Sequence, residues 1–168
     1  MTIDYLAQNP FAALSLIAAP AILTNASSVL ALSTSNRFLR AGERMRAVAA
    51  ELQTLSGGDE HNLLLTQAIR IEKQALLLLT ALRGAYVALA SFAAASLISI
   101  VGAGLAPTNF KMASHLTVAL ALVVGFVGVG GIVTACTHLF RATRLSLLNI
   151  SEEAALIRSR EAERLRKL

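Results

Sequence analysis

The side chains that could carry chemistry in this sequence are mostly uncharged, and several of them lie in one hydrophobic stretch near the start of the chain. Thr24, Asn25 and Ser28 are set among alanine, isoleucine and leucine residues. On a helix, an amide and two hydroxyls can hydrogen-bond to a neighbouring helix, or they can line a water-filled path. Both interpretations require a neighbouring surface, because lipid offers an amide no hydrogen-bond partner.

The usual signatures of catalysis and of ion coupling are missing from the sequence. Its three hydrophobic stretches contain no Asp, Glu, Lys or Arg, whereas proton pumps and ion-coupled transporters usually keep an ionisable group within the membrane. His115 and His138 lie near the ends of the third stretch, where an interfacial position is a simpler interpretation than a proton relay. The single cysteine, Cys136, has no partner for a disulfide or a metal cluster. With no zinc-protease or nucleophile-elbow motif either, we expect no enzyme, no cofactor and no metal site.

Composition and charge placement predict a membrane protein. Hydrophobic residues make up 55% of the 168 residues, and the mean hydropathy is +0.64. A soluble domain of this length cannot bury so large an apolar share. The three uncharged stretches, residues 10–36, 84–110 and 112–140, are each long enough for a helix to cross a bilayer. The net charge of +5 lies outside them, so we expect a lipid bilayer and no nucleic acid as partner.

The distribution of Lys and Arg predicts the orientation in the membrane. Seven basic residues lie between the first and second stretches and seven follow the third, whereas none precedes the first and only Lys111 separates the second from the third. Basic segments stay in the cytoplasm. We therefore expect a bacterial cytoplasmic (inner) membrane protein with its N-terminus outside, its C-terminus in the cytoplasm and an outside turn at residues 106–109.

The segments between the stretches are expected to be helical as well. Apolar residues recur at three-four spacings in residues 38–55 and 64–82, which predicts two helices packed along a coiled-coil-like seam. Gly57 and Gly58 break the pattern, and Asp59 is expected to cap the second helix. The prediction is an all-α membrane helical bundle, a single membrane domain with long cytoplasmic helical extensions. Its parts are three transmembrane helices (about 11–35, 84–105 and 113–140), a cytoplasmic helical hairpin (36–83) and a cytoplasmic tail helix (141–168).

Small residues on the predicted spans indicate close helix contacts, because they let helix backbones approach each other. Pro20 removes one backbone donor from the first span and predicts a kink there. Three helices alone cannot use so many small-residue faces, so a homo-oligomer is expected. The predicted helix-packing positions are Ser91, Ala95, Ser99, Gly125 and Gly128.

Residues 18–26, followed by Thr34, Ser35, Asn36 and Arg37, resemble a family of small bacterial three-span membrane proteins, a domain of unknown function (DUF2721-like). The resemblance extends over most of the chain: three spans, a basic helix after the first and a charged helix after the third. It implies a fold and a membrane location, and it implies no particular activity. In topology alone the chain is also similar to ring-forming stator subunits, whose motifs and membrane acid it lacks.

Two functions remain open at this point. The first is a homo-oligomeric, channel-like or pore-like assembly in which the first span surrounds an axis and Thr24, Asn25 and Ser28 form its polar lining. The second is a non-conducting accessory or scaffold subunit, which would dock on another membrane protein through the small-residue faces or the tail.

Overall fold

The computed structural model of the chain is all-α. It describes the backbone of residues 10–54, 57–105 and 111–166, with most of their side chains. The expected outside turn at residues 106–109 lies outside the described residues. Within them the chain forms three long helices: α1 (Pro10–Thr54), α2 (Asp59–Leu105) and α3 (Lys111–Arg166).

Each helix is longer than a membrane span because few residues interrupt it. Helix α1 continues through Pro20. Helix α3 joins the predicted third span and the predicted tail helix in one element of 56 residues. Residues 132–166 contain neither Gly nor Pro, so nothing in the local sequence ends the helix where the apolar stretch stops.

A glycine turn connects α1 to α2. Gly57 and Gly58 have φ values of 101° and 106°, which side-chain-bearing residues rarely adopt. The amide of Asn62 donates to the carbonyl of Gly58 at 3.3 Å, which closes the first turn of α2. The helix begins at Asp59, whose expected capping side chain lies outside the described residues.

The helices divide into two compact units, and each unit contains part of all three helices. We call Met1–Ser33 with Leu82–Cys136 the first unit, and Thr34–Ala81 with Thr137–Leu168 the second unit.

The first unit buries small side chains. Ala31, Ala85 and Ala135 form one cluster, with Leu30 and Leu82 packed against it. Buried positions recur every seven residues along α2 and again along α3, and a single large side chain, that of Phe92, is buried among those described. The buried residues of this unit are Ser27, Ala31, Gly84, Ala85, Ala88, Phe92, Ala95, Ser99, Gly102, Ala121, Gly128, Gly131 and Ala135.

The second unit buries larger aliphatic side chains. Val48, Leu64 and Ile71 form one cluster. Leu78 forms another with Ala41 and Ala142, and Phe38 packs against it. The seven-residue interval holds here too, at Leu64, Ile71 and Leu78 on α2. Among the side chains of this unit that the structure describes, the buried ones are Thr34, Ala41, Val48, Leu64, Ile71, Leu78, Ala81 and Ala142.

Two segments in the described part of the chain are long and apolar enough to cross a membrane. They are His61–Gly104 in α2 and His115–Leu148 in α3. The predicted first span, in α1, is not one of them, because its hydroxyl and amide side chains lower its hydropathy and its first residues lack described side chains. That span stays a prediction.

Candidate functional site

Residues 24–28, the polar segment of α1, include both exposed and half-buried or buried side chains. Thr24 is half-buried, and its hydroxyl donates to the carbonyl of Pro20 at 2.8 Å. Asn25 and Ser28 are exposed. The hydroxyl of Thr24 is therefore engaged within its own helix, whereas the Asn25 amide and the Ser28 hydroxyl lie on the outer surface of the first unit.

Ser27 is a polar residue of this segment that the sequence pattern did not single out. It is completely buried, and its hydroxyl donates to the carbonyl of Leu23 at 2.8 Å. The expected polar lining consists of Thr24, Asn25 and Ser28, and none of these three side chains is fully buried. A seven-residue interval would have found the buried face, because Ser27, Thr34, Ala41 and Val48 are all buried along α1.

The placement of Asn25 has a physical consequence. An amide can donate two hydrogen bonds and accept two, and hydrocarbon satisfies none of them. If α1 crosses a bilayer, the exposed side chains of Asn25 and Ser28 must meet another protein surface or water. Among the residues of the first unit that the structure describes, none covers these two side chains.

A glycine contact brings two helices of the first unit backbone to backbone. A Cβ placed on Gly131 would lie 2.7 Å from the carbonyl oxygen of Gly84 and 2.9 Å from the amide nitrogen of Ala88. A Cβ on Gly84 would lie 2.8 Å from the carbonyl oxygen of Gly131. Because these neighbours are backbone atoms, α2 and α3 can approach this closely only if both positions are glycine.

The predicted packing residues of α2 lie at or near the helix contact. Ala95 and Ser99 are buried, Ser91 is half-buried, and the Ser99 hydroxyl donates to the Ala95 carbonyl at 2.8 Å. This hydroxyl is thus satisfied inside its own helix and leaves a small surface for the neighbour.

The two predicted packing glycines of α3 differ. Gly128 faces the ring of Phe92, which lies 2.8 Å from where a Cβ would be, whereas Gly125 has no atom within 4 Å of that point. Gly84, which completes the tightest contact, was not among the predicted packing positions. It follows Arg83 as the first residue of the apolar stretch. In the sequence this position indicates the start of a span and gives no sign of a helix contact.

The single cysteine, Cys136, and the two histidines His115 and His138 all lie on α3. Among the side chains that the structure describes, no three His, Cys, Asp or Glu residues lie close enough to hold a metal ion. Cys136 and His115 are exposed, and His138 is half-buried. What the first unit offers to a partner is hydrogen bonding by exposed neutral groups and close backbone contact.

Comparison with known proteins gives one result. The family model described as "Protein of unknown function (DUF2721)" matches residues 17–150, which include the polar segment of α1 and the Gly84–Gly131 contact. No curated protein and no solved structure matches the chain. Since the match covers well over half of the 168 residues, the protein belongs to the DUF2721 family.

Proposed function

We propose that this protein is an integral membrane protein that assembles as a homo-oligomer with a channel-like or pore-like axis lined by α1. The observation that carries the proposal is the exposure of Asn25 and Ser28 near the middle of the predicted first span. Contacts with the described part of the chain leave this polar surface open, and additional copies of the chain would enclose it.

Membrane insertion is supported by how little of the apolar surface is buried. Only 28% of the most apolar window in α2 and 17% of that in α3 is buried, whereas a core helix of a soluble protein is mostly buried. A water-soluble monomer would not tolerate an exposed apolar surface of this extent. The exposed residues of the first unit include Ile22, Val29, Leu32, Val87, Leu97, Ile100, Val101, Leu116, Leu120, Val123, Phe126 and Val133.

The distribution of charge supports an inside C-terminus. The described part of the first unit contains only two charged residues, Arg83 and Lys111, while the second unit contains the remaining described basic residues. Basic segments are retained in the cytoplasm. We therefore assign the second unit to the cytoplasm of a bacterium, with the first unit in its inner membrane.

The second unit also offers a surface for self-association. Leu65, Ile69 and Leu76 are exposed on one face of α2, at intervals of four and seven residues. Together with the seven-residue interval of the buried positions, this face supports coiled-coil-like packing between copies. A closed ring of identical chains would use the same surface in every subunit.

A pore of this kind would act without catalysis. Its lining would consist of the amide of Asn25 and the hydroxyls of Ser28 and Thr24, which can replace part of the hydration shell of a passing ion or solute. Such a lining carries no formal charge, so the expected selectivity depends on size and hydration more than on the sign of the charge.

The test is solute flux through liposomes that contain the purified protein. We expect flux with the native chain, and a loss of at least about tenfold with Asn25→Leu, since an apolar side chain then replaces the amide of the lining. Asn36→Leu is the matched control, because it makes the same substitution at another exposed position of α1, beyond the predicted span. Absence of flux from native oligomers, or equal flux from Asn25→Leu, would contradict a pore.

The accessory-subunit alternative predicts a different result from the same preparations. A non-conducting subunit would co-purify from the native membrane with a second protein in fixed proportion, and Asn25→Leu would release that protein. The open surface at Gly125 and Gly130, where an added Cβ would meet no atom within 4 Å, would then be the place where a helix of the larger complex packs.

A further inference from the structure

Four exposed arginines lie on two adjacent helices of the second unit. Arg37 and Arg40 belong to α1, and Arg141 and Arg144 belong to α3. The guanidinium of Arg37 donates through Nη1 to Oγ1 of Thr143 at 3.4 Å, which puts the two pairs at the same level of the unit. Within each pair the spacing of three residues places both side chains on neighbouring parts of the helix surface.

Few carboxylates are available to neutralise this cluster. The sequence has no Asp or Glu from residue 5 to residue 42, and none from residue 73 to residue 151. Helix α2, which packs here through Leu77 and Leu78, therefore adds no acid at this level. Glu43, one turn beyond Arg40, is the nearest carboxylate in the sequence and can offset one of the four positive charges.

Exposed apolar side chains stand beside the arginines. Phe140 is 72% exposed, and Leu39 and Leu147 are 60% and 62% exposed. Each lies within three residues of an arginine of the cluster. A free phosphate or a nucleic acid would use the positive charge alone and leave these side chains in water. A phospholipid uses both, because its phosphate accepts hydrogen bonds from guanidinium groups while its acyl chains cover apolar residues.

We propose that Arg37, Arg40, Arg141 and Arg144, with Thr143 holding Arg37 in place, form a binding site for the headgroup of an anionic phospholipid. The site takes the phosphate on the guanidinium groups and the start of the acyl chains on Leu39 and Phe140. This inference rests on the membrane placement proposed above, and it is independent of whether α1 lines a pore.

The experiment is native mass spectrometry of the full chain, released from detergent with equal amounts of phosphatidylglycerol and phosphatidylcholine. We expect the native chain to retain phosphatidylglycerol preferentially. The double variant Arg37→Gln/Arg40→Gln should lose this preference by about tenfold or more, given the usual contribution of a basic residue near an anionic headgroup. The control Arg46→Gln/Lys73→Gln removes the same charge from exposed positions of the second unit outside the cluster and should retain it.

Additional measurements distinguish a phospholipid from free phosphate or nucleic acid, and they distinguish failure of this site from failure of the proposed assembly. Inorganic phosphate or a DNA oligonucleotide should not displace the lipid; displacement by either at low concentration would overturn the lipid assignment. Equal binding of both lipids by the native chain, or equal losses in the two double variants, would also overturn it. The same spectra report the oligomeric state, so an oligomer without lipid preference contradicts only this site, and a monomer that prefers phosphatidylglycerol contradicts only the proposed assembly.

Discussion

The two units are built from the same three helices, yet the side chains at their helix contacts differ in size. In the first unit the contacts are made largely by Gly, Ala and Ser, with Gly84 and Gly131 in backbone contact and Phe92 as the one large buried side chain among those described. In the second unit they are made largely by Val48, Leu64, Ile71 and Leu78. The outer surfaces differ in the opposite sense: aliphatic in the first unit, and rich in arginine and glutamate in the second.

This difference corresponds to the two solvents in which helices associate. In water, burial of large aliphatic side chains drives association at about 25 cal/mol per Å². In lipid that driving force is absent between helices, and close approach of small residues provides the contact instead. The first unit is packed as helices are in a bilayer, and the second as helices are in water, in agreement with the proposed boundary between them.

The largest expected effect is on the core of the second unit. Ile71→Ala removes most of a side chain that is 1% exposed, and we expect a loss of about 2–5 kcal/mol in the free energy of unfolding. Leu63→Ala, at a residue 43% exposed and outside the face formed by Leu65, Ile69 and Leu76, is the control and should cost far less. Urea denaturation of the detergent-solubilised chain, followed by helical circular dichroism, measures both. Equal losses would show that the second unit is not stabilised by its buried aliphatic side chains, which we call the aliphatic seam (Val48, Leu64, Ile71 and Leu78).

The first unit should be destabilised by the opposite change, the enlargement of a small side chain at a helix contact. Gly131→Ala places a methyl group against the Gly84 carbonyl and the Ala88 amide, so the helices must separate, at a cost of about 1–3 kcal/mol. Gly130→Ala is the matched control, since a Cβ there meets nothing within 4 Å and alanine favours a helix. Thermal unfolding in detergent compares the two, and a variant Gly131→Ala as stable as Gly130→Ala would remove the distinction between the units.

The smallest expected effect concerns the hydrogen bond from Arg37 of α1 to Thr143 of α3 in the second unit. Thr143→Val removes the acceptor of the Arg37 hydrogen bond, which is exposed, so we expect a loss below about 1 kcal/mol. Thr134→Val is the control, because the Thr134 hydroxyl, also exposed, donates to the Gly130 carbonyl of its own helix. Chemical denaturation at low and high salt measures both. A loss of several kcal/mol would mean that polar contacts, and not the aliphatic seam, hold the second unit.

The sequence was sufficient to predict an all-α fold, the family and a break at Gly57 and Gly58. Long apolar stretches and three-four spacings determine the fold class locally, two glycines mark the break, and the family came from the resemblance carried by residues 18–26 and 34–37. It was not sufficient to say which face of α1 points inward. Ser27 and Ser28 are adjacent and identical in type, and only the packing against α2 and α3 buries one and exposes the other.

The Gly84–Gly131 contact was also beyond a sequence argument, although Gly131 lies in an evident run of glycines. The contact depends on the register of two antiparallel helices, which no local pattern specifies. The sequence predicted a third span and a tail helix divided at residue 140, whereas the structure has a single helix there. The change from apolar to charged residues near Arg141 leaves the backbone of α3 helical.

The short connection at residues 55–58 also bears on how the chain is made. Because α1 ends at Thr54 and α2 begins at Asp59, the contacts of Val48 with Leu64 and its neighbours join residues close in sequence, and closure of so short a loop takes well under a microsecond. Translation adds residues far more slowly. This hairpin can therefore form while α3 is still being synthesised, and the last helix is then added to a pair that is already folded.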